Sequence, residues 1–233
     1  KNDGKSDAST NTTRVNEKDL VSVSEHLKNV WGYDPGAYEG YANTASQKGD
    51  KILARIDWNI SDKHKFAIRY NQLIGNSNQI ANNNSGPSPR SNYYRVSENS
   101  MVFQNGNYGF ENTVRSLTAE LNSNFSSELS NKFLFTYSKI REKRTTPSNQ
   151  IFPFVDIFDG GIADGKNNYM SFGTELFSYN NDVDNDNFSF VNNLNYTVGK
   201  HNILGGASFE IQKFGNSYVR EGTSYYRYNS EED

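Results

Sequence analysis

The sequence contains no cysteine. Disulfide frameworks, thiolate metal sites and cysteine nucleophiles are excluded, and the redox compartment stays open. Long apolar runs are missing too: no stretch of about 18 or more apolar residues exists, so no transmembrane helix is encoded. The opening KNDGKSDASTNTT lacks the apolar centre of a signal peptide. Neither sign of charge dominates. The 24 basic and 27 acidic residues are dispersed and the net charge is -3, which gives no electrostatic footprint for a nucleic-acid partner. Catalytic signatures are equally scarce, since GxSxG, HExxH and a phosphate-cradling glycine loop do not occur. His26, His64 and His201 stand at no metal-ligating spacing. Paired carboxylates of a hydrolase would have to meet in a cleft, which sequence cannot show. The expectation is therefore a protein that is not an enzyme.

Aromatic residues, by contrast, are abundant: 15 Tyr and 15 Phe, in a chain only 34% hydrophobic. With a mean hydropathy of -0.84, this describes a structured chain with a polar exterior or a polar interior, and disordered chains do not supply such aromatics. Low hydropathy does not make the chain soluble. A transmembrane strand needs about 9–11 residues with every second one apolar, and so crosses a bilayer at low average hydropathy.

Along the chain, Leu20, Val23, Leu27, Val30 and Trp31 recur at three and four, which predicts a helix over 17–31 closed by Gly32 and Pro35. Strict alternation then takes over. Ile52, Ala54, Ile56, Trp58 and Ile60 alternate with Arg55, Asp57 and Asn59, the turn SDKHK follows, and Phe66, Ile68, Tyr70 and Ile74 return. Two further hairpins repeat the pattern around SSELSN and VGKHN. The expected hairpins are 51–74, 113–141 and 187–214, and the expected long loops are 75–112 and 142–186.

The short turns near residues 63, 128 and 200 all fall on one side, and the long loops on the other. Ordinary connections are about 2–6 residues, whereas outer-membrane barrels join their strands by short periplasmic turns and long extracellular loops. Charge placement agrees, because Arg55, Asp57, Arg69, Glu120 and Glu210 fall on the polar faces of their strands, where a watery lumen would solvate them. Trp58, Tyr70, Phe125, Phe133 and Tyr196 lie on apolar faces and are expected close to the turns, as an interfacial girdle. The expected class is all-β: a partial antiparallel transmembrane β-barrel of about six strands in three hairpins, with long extracellular loops and one short helix near the N-terminus. The alternative is a soluble β-rich surface module for adhesion or carbohydrate binding, its apolar faces buried between two sheets.

The stretches WGYDPGAYEGY, KILARIDWNISDKHKFAIRYN, FPFVDIFDGG, SFGTELFSYNNDVDNDNF, NYTVGKHNILGGASFEIQKF and YYRYNSEED, in that order, resemble the barrel of Oar-like TonB-dependent receptors of Bacteroidetes outer membranes. The resemblance implies a barrel of about 22 strands around a plugged lumen, an outer-membrane location, and nutrient uptake driven by a TonB complex. It implies as partners outer-membrane lipid, the rest of the barrel with its plug, and a small-molecule, sugar or peptide substrate. No plug or TonB box is found in these residues, so the expectation is one barrel-domain fragment, 1–233, of a larger receptor.

Two sets of loop residues are candidates for binding. Aromatics beside asparagines offer flat apolar area next to fixed hydrogen-bond groups, which suits sugars or peptides. They are Tyr93, Tyr94, Tyr108, Tyr179, Tyr225 and Tyr226, with Phe103, Phe177 and Tyr228 nearby. The competing reading is that the loops pack against one another through these same rings. Asp182, Asp184 and Asp186 in NNDVDNDNF begin like a calcium loop, but Asn187 stands where Gly is needed and Asn193 where Glu is needed. A Ca2+ held in another oxygen cage is the only cofactor expected. Asp156, Asp159 and Asp164 form a second acidic segment that a solvated loop would explain.

Overall fold

The computed structural model describes residues 12–39, 47–83, 86, 94–159, 168–230 and 232. The helix, α1 (Glu17–Trp31), has the expected bounds. Asn16 caps it by accepting from the Lys18 N–H, Glu17 and Asp19 lie in the first turn, and Gly32 closes it at a φ of 62° that favours glycine.

Six long strands follow in three hairpins: β1 (Gln47–Asn59) with β2 (His64–Gln79), β4 (Tyr108–Asn124) with β5 (Leu129–Thr145), and β8 (Asp182–Val198) with β9 (His201–Ser217). They form one antiparallel sheet in the order β1-β2-β4-β5-β8-β9. Each hairpin runs further from its short turn than alternation alone suggests. The loops shrink accordingly, and Asp182, Asp184 and Asp186, expected in a loop, lie on β8.

Register aligns the apolar residues across the whole sheet. Ile56 pairs with Ile68, and the row continues through Ala119, Phe135, Phe190 and Phe209. The neighbouring row on the same face is Ala54, Tyr70, Leu117, Tyr137, Phe188 and Ile211. The opposite face carries a polar row across its middle: Arg55, Arg69, Thr118, Thr136, Ser189 and Glu210. A one-residue slip would exchange the two faces. From Leu129 to Tyr137 the apolar face of β5 covers about 26 Å at ~3.3 Å per residue, which a tilt of ~40° reduces to about 20 Å, close to the apolar band of a barrel. Trp58, Phe125 and Tyr196 lie near the turns as expected. Tyr70 does not: its pairing with Leu117 and the alignment with Tyr137 set it at the far rim of the band.

The loops make a second body. Loop 80–107 contributes β3 (Met101–Val102) and a turn of 3-10 helix (Gln104–Gly106), loop 146–181 contributes β6 (Phe154–Phe158) and β7 (Asn168–Phe172), and β10 (Tyr225–Tyr228) follows β9. These strands assemble in the order β10-β6-β7-β3, with β10 parallel to β6 and β3 parallel to β7. Helix α1 packs on this small sheet. Val15, Leu20, Leu27, Tyr33, Phe103, Val155, Ile157, Met170 and Phe172 form its core. Gly173, at φ 99°, leads the chain out of β7, where a side chain would run into the Pro153 carbonyl.

None of the buried hydrophobic residues lies on the six long strands, whereas Ile56, Trp58, Phe209 and others there are exposed. The apolar face of the large sheet is bare and the small sheet has a core of its own, so the two sheets do not form a sandwich. A lysine replacing Phe135, mid-band on the apolar face, should cost about 2–4 kcal/mol of folding stability in bilayers. Thr136→Lys, one residue on and facing the other way, should cost less than about 1 kcal/mol. Urea titration of the refolded protein in lipid vesicles measures both.

Candidate functional site

The small sheet and α1 form a cap at the long-loop end of the wall. Its side is fixed by Arg144, which lies on the polar face of β5 and reaches 3.7 Å from the buried Glu175 of the cap. The Arg144 guanidinium also stands 4.5 Å over the Tyr108 ring and 4.9 Å over that of Phe110. Cap and apolar face therefore lie on opposite sides of the wall.

Inside the cap the central feature is Asp156, in the middle of β6 and 2% exposed. Its carboxylate accepts two bonds from Arg95, Nε to Oδ1 and Nη2 to Oδ2, both at 2.8 Å. The Ser171 hydroxyl of β7 donates at 2.6 Å and the Tyr225 hydroxyl of β10 at 2.5 Å. Arg95 also donates to the Asn82 carbonyl at 2.7 Å and lies over the Phe154 ring. Burial works against the Arg95 charge, but the Asp156 carboxylate outweighs it and raises the arginine pKa above its ordinary value. Burial first, and the Asp156 charge second, push the Tyr225 hydroxyl up to about 12.

On the other face of the small sheet, α1 leaves an open groove of about 800 Å3 toward β10. Its walls include His26, Trp31, Phe152, Phe172, Tyr226 and Tyr228. Trp31 and Tyr226 are 66% and 50% exposed, so their rings are available to a ligand. Trp31 stands edge-on to Phe152 at 6.4 Å, and Tyr33 stacks on the same phenylalanine at 4.2 Å. Flat rings with few charges suit the faces of sugars or peptide side chains.

The candidate aromatics do not converge. Tyr226 lines the groove, but Tyr225, its neighbour in a strand, points the other way and spends its hydroxyl on Asp156. Tyr108 lies beneath Arg144, Tyr179 stands beside Gly222, and Tyr94 is exposed on segment 94–100. Tyr93 and Asp164 lie outside the described residues. Phe103 is fully buried in the cap core, so for this ring the loop-packing reading holds.

The acidic candidates require correction. On β8, Asp182, Asp184 and Asp186 project from one face about 6.6 Å apart along the strand, and the cations of β5 occupy the neighbouring positions. Asp186 lies 3.4 Å from the Lys139 ammonium, and Asp184 lies 2.9 Å from Arg141. Among the described residues no group of three His, Asp or Glu could hold a metal ion. Asp159 pairs with Arg14 at 2.6 Å, and Asp156 is the buried hub rather than a solvated loop residue.

Sequence reasoning placed Trp31 on the packed face of α1 and passed over His26, Phe152 and Arg95 as site residues. A signal for the hub was present: FVDIF puts one carboxylate in an otherwise apolar strand, a position that demands a buried partner.

A bare apolar face in register, a polar face beneath a loop cap, and short turns at one end define a membrane β-barrel wall. The outer membrane beta barrel domain model matches residues 12–232, so the chain belongs to that family and to the bacterial outer membrane. No curated protein and no solved structure matches significantly. The soluble surface module is thereby set aside.

Asp156→Asn should destabilise the cap by on the order of 3–5 kcal/mol, because it leaves Arg95 buried with the charge of its carboxylate partner removed. Amide exchange in β6, β7 and β10 would accelerate while β8 stays protected. Tyr225 supplies a pH dependence. An unfolded tyrosine loses its proton near pH 10 and the folded one at about 12. The stability from the neutral hydroxyl is therefore complete below about pH 10 and is lost as pH rises to about 12. Proteolysis of the cap should accelerate across that window, and Tyr225→Phe should flatten the rise.

Proposed function

We propose that this wall and cap are part of a TonB-dependent receptor that captures a sugar or peptide at the cell surface and passes it inward. The supporting observation is the luminal face itself. Toward the cap it carries the row Lys51, Leu73, Val114, Ile140, Asn185 and Phe214, four of whose six members are apolar. A water-filled channel is lined by polar groups, whereas an apolar row above a polar wall suits packing against a plug that fills the lumen.

In this reading the exposed edges of β1 and β9, which do not pair with each other, continue the barrel through further strands. The outward face meets lipid, and a TonB complex acts on the plug from the periplasm. The groove beside Trp31 and Tyr226 is the capture site, and its work is binding and passage rather than catalysis.

Uptake of a panel of oligosaccharides and peptides by cells lacking this protein, and by cells lacking TonB, tests the reading. The same substrate should be lost in both. Uptake that persists without TonB would reject energy-coupled transport. Trp31→Ala and Tyr226→Ala should each raise the apparent Kd for that substrate about threefold to tenfold, with the barrel still heat-modifiable on gels.

A further inference from the structure

Immediately beyond the far aromatic rim, the outward face of β4, β5, β8 and β9 changes from apolar to charged within one row. Arg115, Lys139, Asp186 and Lys213 stand in register there, each two residues past the last apolar position of its strand, while in the same row β2 carries Gln72 and β1 keeps the apolar Ile52. The Tyr70 hydroxyl donates to Gln72 at 2.9 Å and the Tyr137 hydroxyl to Asp186 at 2.6 Å, so the rim tyrosines turn their polar ends toward this row. Aromatic rings with hydroxyls on the polar side mark the depth of the lipid headgroups.

The row holds three cations and one anion. Asp186 is taken by Lys139 at 3.4 Å and by Tyr137. Arg115 and Lys213 form no ion pair within the described residues, and Arg115 donates only to Gln72 at 3.2 Å. Further from the band, charges match one another: Arg141 with Asp184 at 2.9 Å, and Lys143 with Glu111 at 3.4 Å. The positive excess on this face is thus confined to headgroup depth. Arg115 and Lys213 are three strands apart, about 14 Å at ~4.8 Å per strand.

We propose that this row is a binding site for the phosphorylated headgroup of an outer-leaflet glycolipid, with Arg115 and Lys213 as its two phosphate contacts. The occupant follows from position and charge: the row continues the lipid-facing surface upward, and only an anionic headgroup neutralises it without displacing the Lys139–Asp186 pair. This inference requires the barrel and its lipid-facing side, and is independent of TonB and of the groove.

The test uses the intact protein in neutral-lipid nanodiscs, titrated with diphosphoryl lipid A or with the same lipid after phosphatase treatment, and read by native mass spectrometry. Diphosphoryl lipid should bind more tightly than the dephosphorylated form. The double variant Arg115→Gln/Lys213→Gln should weaken it about 25-fold, at about fivefold per basic residue, whereas Arg115→Lys/Lys213→Arg should retain it. Arg69→Gln, on the luminal face, should leave it unchanged. Equal binding of the two lipids, a loss under about threefold in the double variant, or an equal loss in Arg69→Gln would each overturn the proposal.

Discussion

The structure depends on one constraint: every residue of the long strands must satisfy its backbone within the sheet while its side chain is sorted between two solvents. In the hydrocarbon region an unpaired amide has no water to turn to, and the continuous antiparallel pairing of six strands meets that demand everywhere but along the outer edges of β1 and β9. Sorting then follows from register. Because Ile56, Ile68, Ala119, Phe135, Phe190 and Phe209 align, one face is apolar without any core behind it, and the asparagines it carries within the band, Asn131 and Asn192, bond to each other. Lipid takes the part that a second sheet plays in a soluble sandwich, which is why so many large hydrophobic side chains stand exposed on the wall while the buried ones belong to the loops.

The cap solves the opposite problem. Its strands are short, come from separate loops and need partners distant in sequence, so they require a local device to hold them together. Asp156 is that device, joining segment 94–100, β7 and β10 through Arg95, Ser171 and Tyr225. A buried ion pair is weak evidence for stability in itself. Here it acts as a register pin: the carboxylate in β6 can be satisfied only if β7 and β10 lie in their observed alignment. The apolar core on the other face of the sheet supplies the attraction, and the hub selects the arrangement.

This division explains what could be read from the sequence. Alternation at period two is local, so each hairpin, its turn and the charge-bearing face could be read from residues such as Ile52 to Ile60. The helix could be read for the same reason, with Asn16 and Gly32 as its limits. Strand ends beyond the membrane could not, because there the outward face becomes polar as well: Lys143 on β5 and Asp182, Asp184 and Asp186 on β8 look like a loop until register sets Lys143 against Glu111 and the β8 acids against the cations of β5. The cap was illegible because β3 has two residues, β10 has four, and both pair in parallel with strands some 70 positions away. Apolar periodicity could not separate Trp31 from Leu27 either. The two share a helical face, but the small sheet covers only Leu27 and leaves Trp31 as a wall of the groove.

Wall and cap are therefore stabilised by different solvents, lipid in one case and an internal core in the other, and few polar contacts connect them. Arg144 bridges to Glu175, its backbone N–H donates to the Asn181 carbonyl at 3.0 Å, and the Ser217 hydroxyl donates to the Asn180 carbonyl at 2.6 Å. All of these converge on segment 174–181, which joins the cap to β8. A change in the cap, such as a ligand filling the groove, can reach the wall through these contacts, through the rings of Tyr108 and Phe110 beneath Arg144, and along the chain where it passes between β2 and β4, between β5 and β8 and from β9 into β10. The groove lies on the face of the small sheet opposite the hub, so the sheet itself separates a bound ligand from Asp156, Arg95 and Tyr225. The hub holds the cap together as a unit, and the chain joins that unit to the wall at the ends of β2, β4, β5, β8 and β9, so its position over the wall is set by several connections rather than by one.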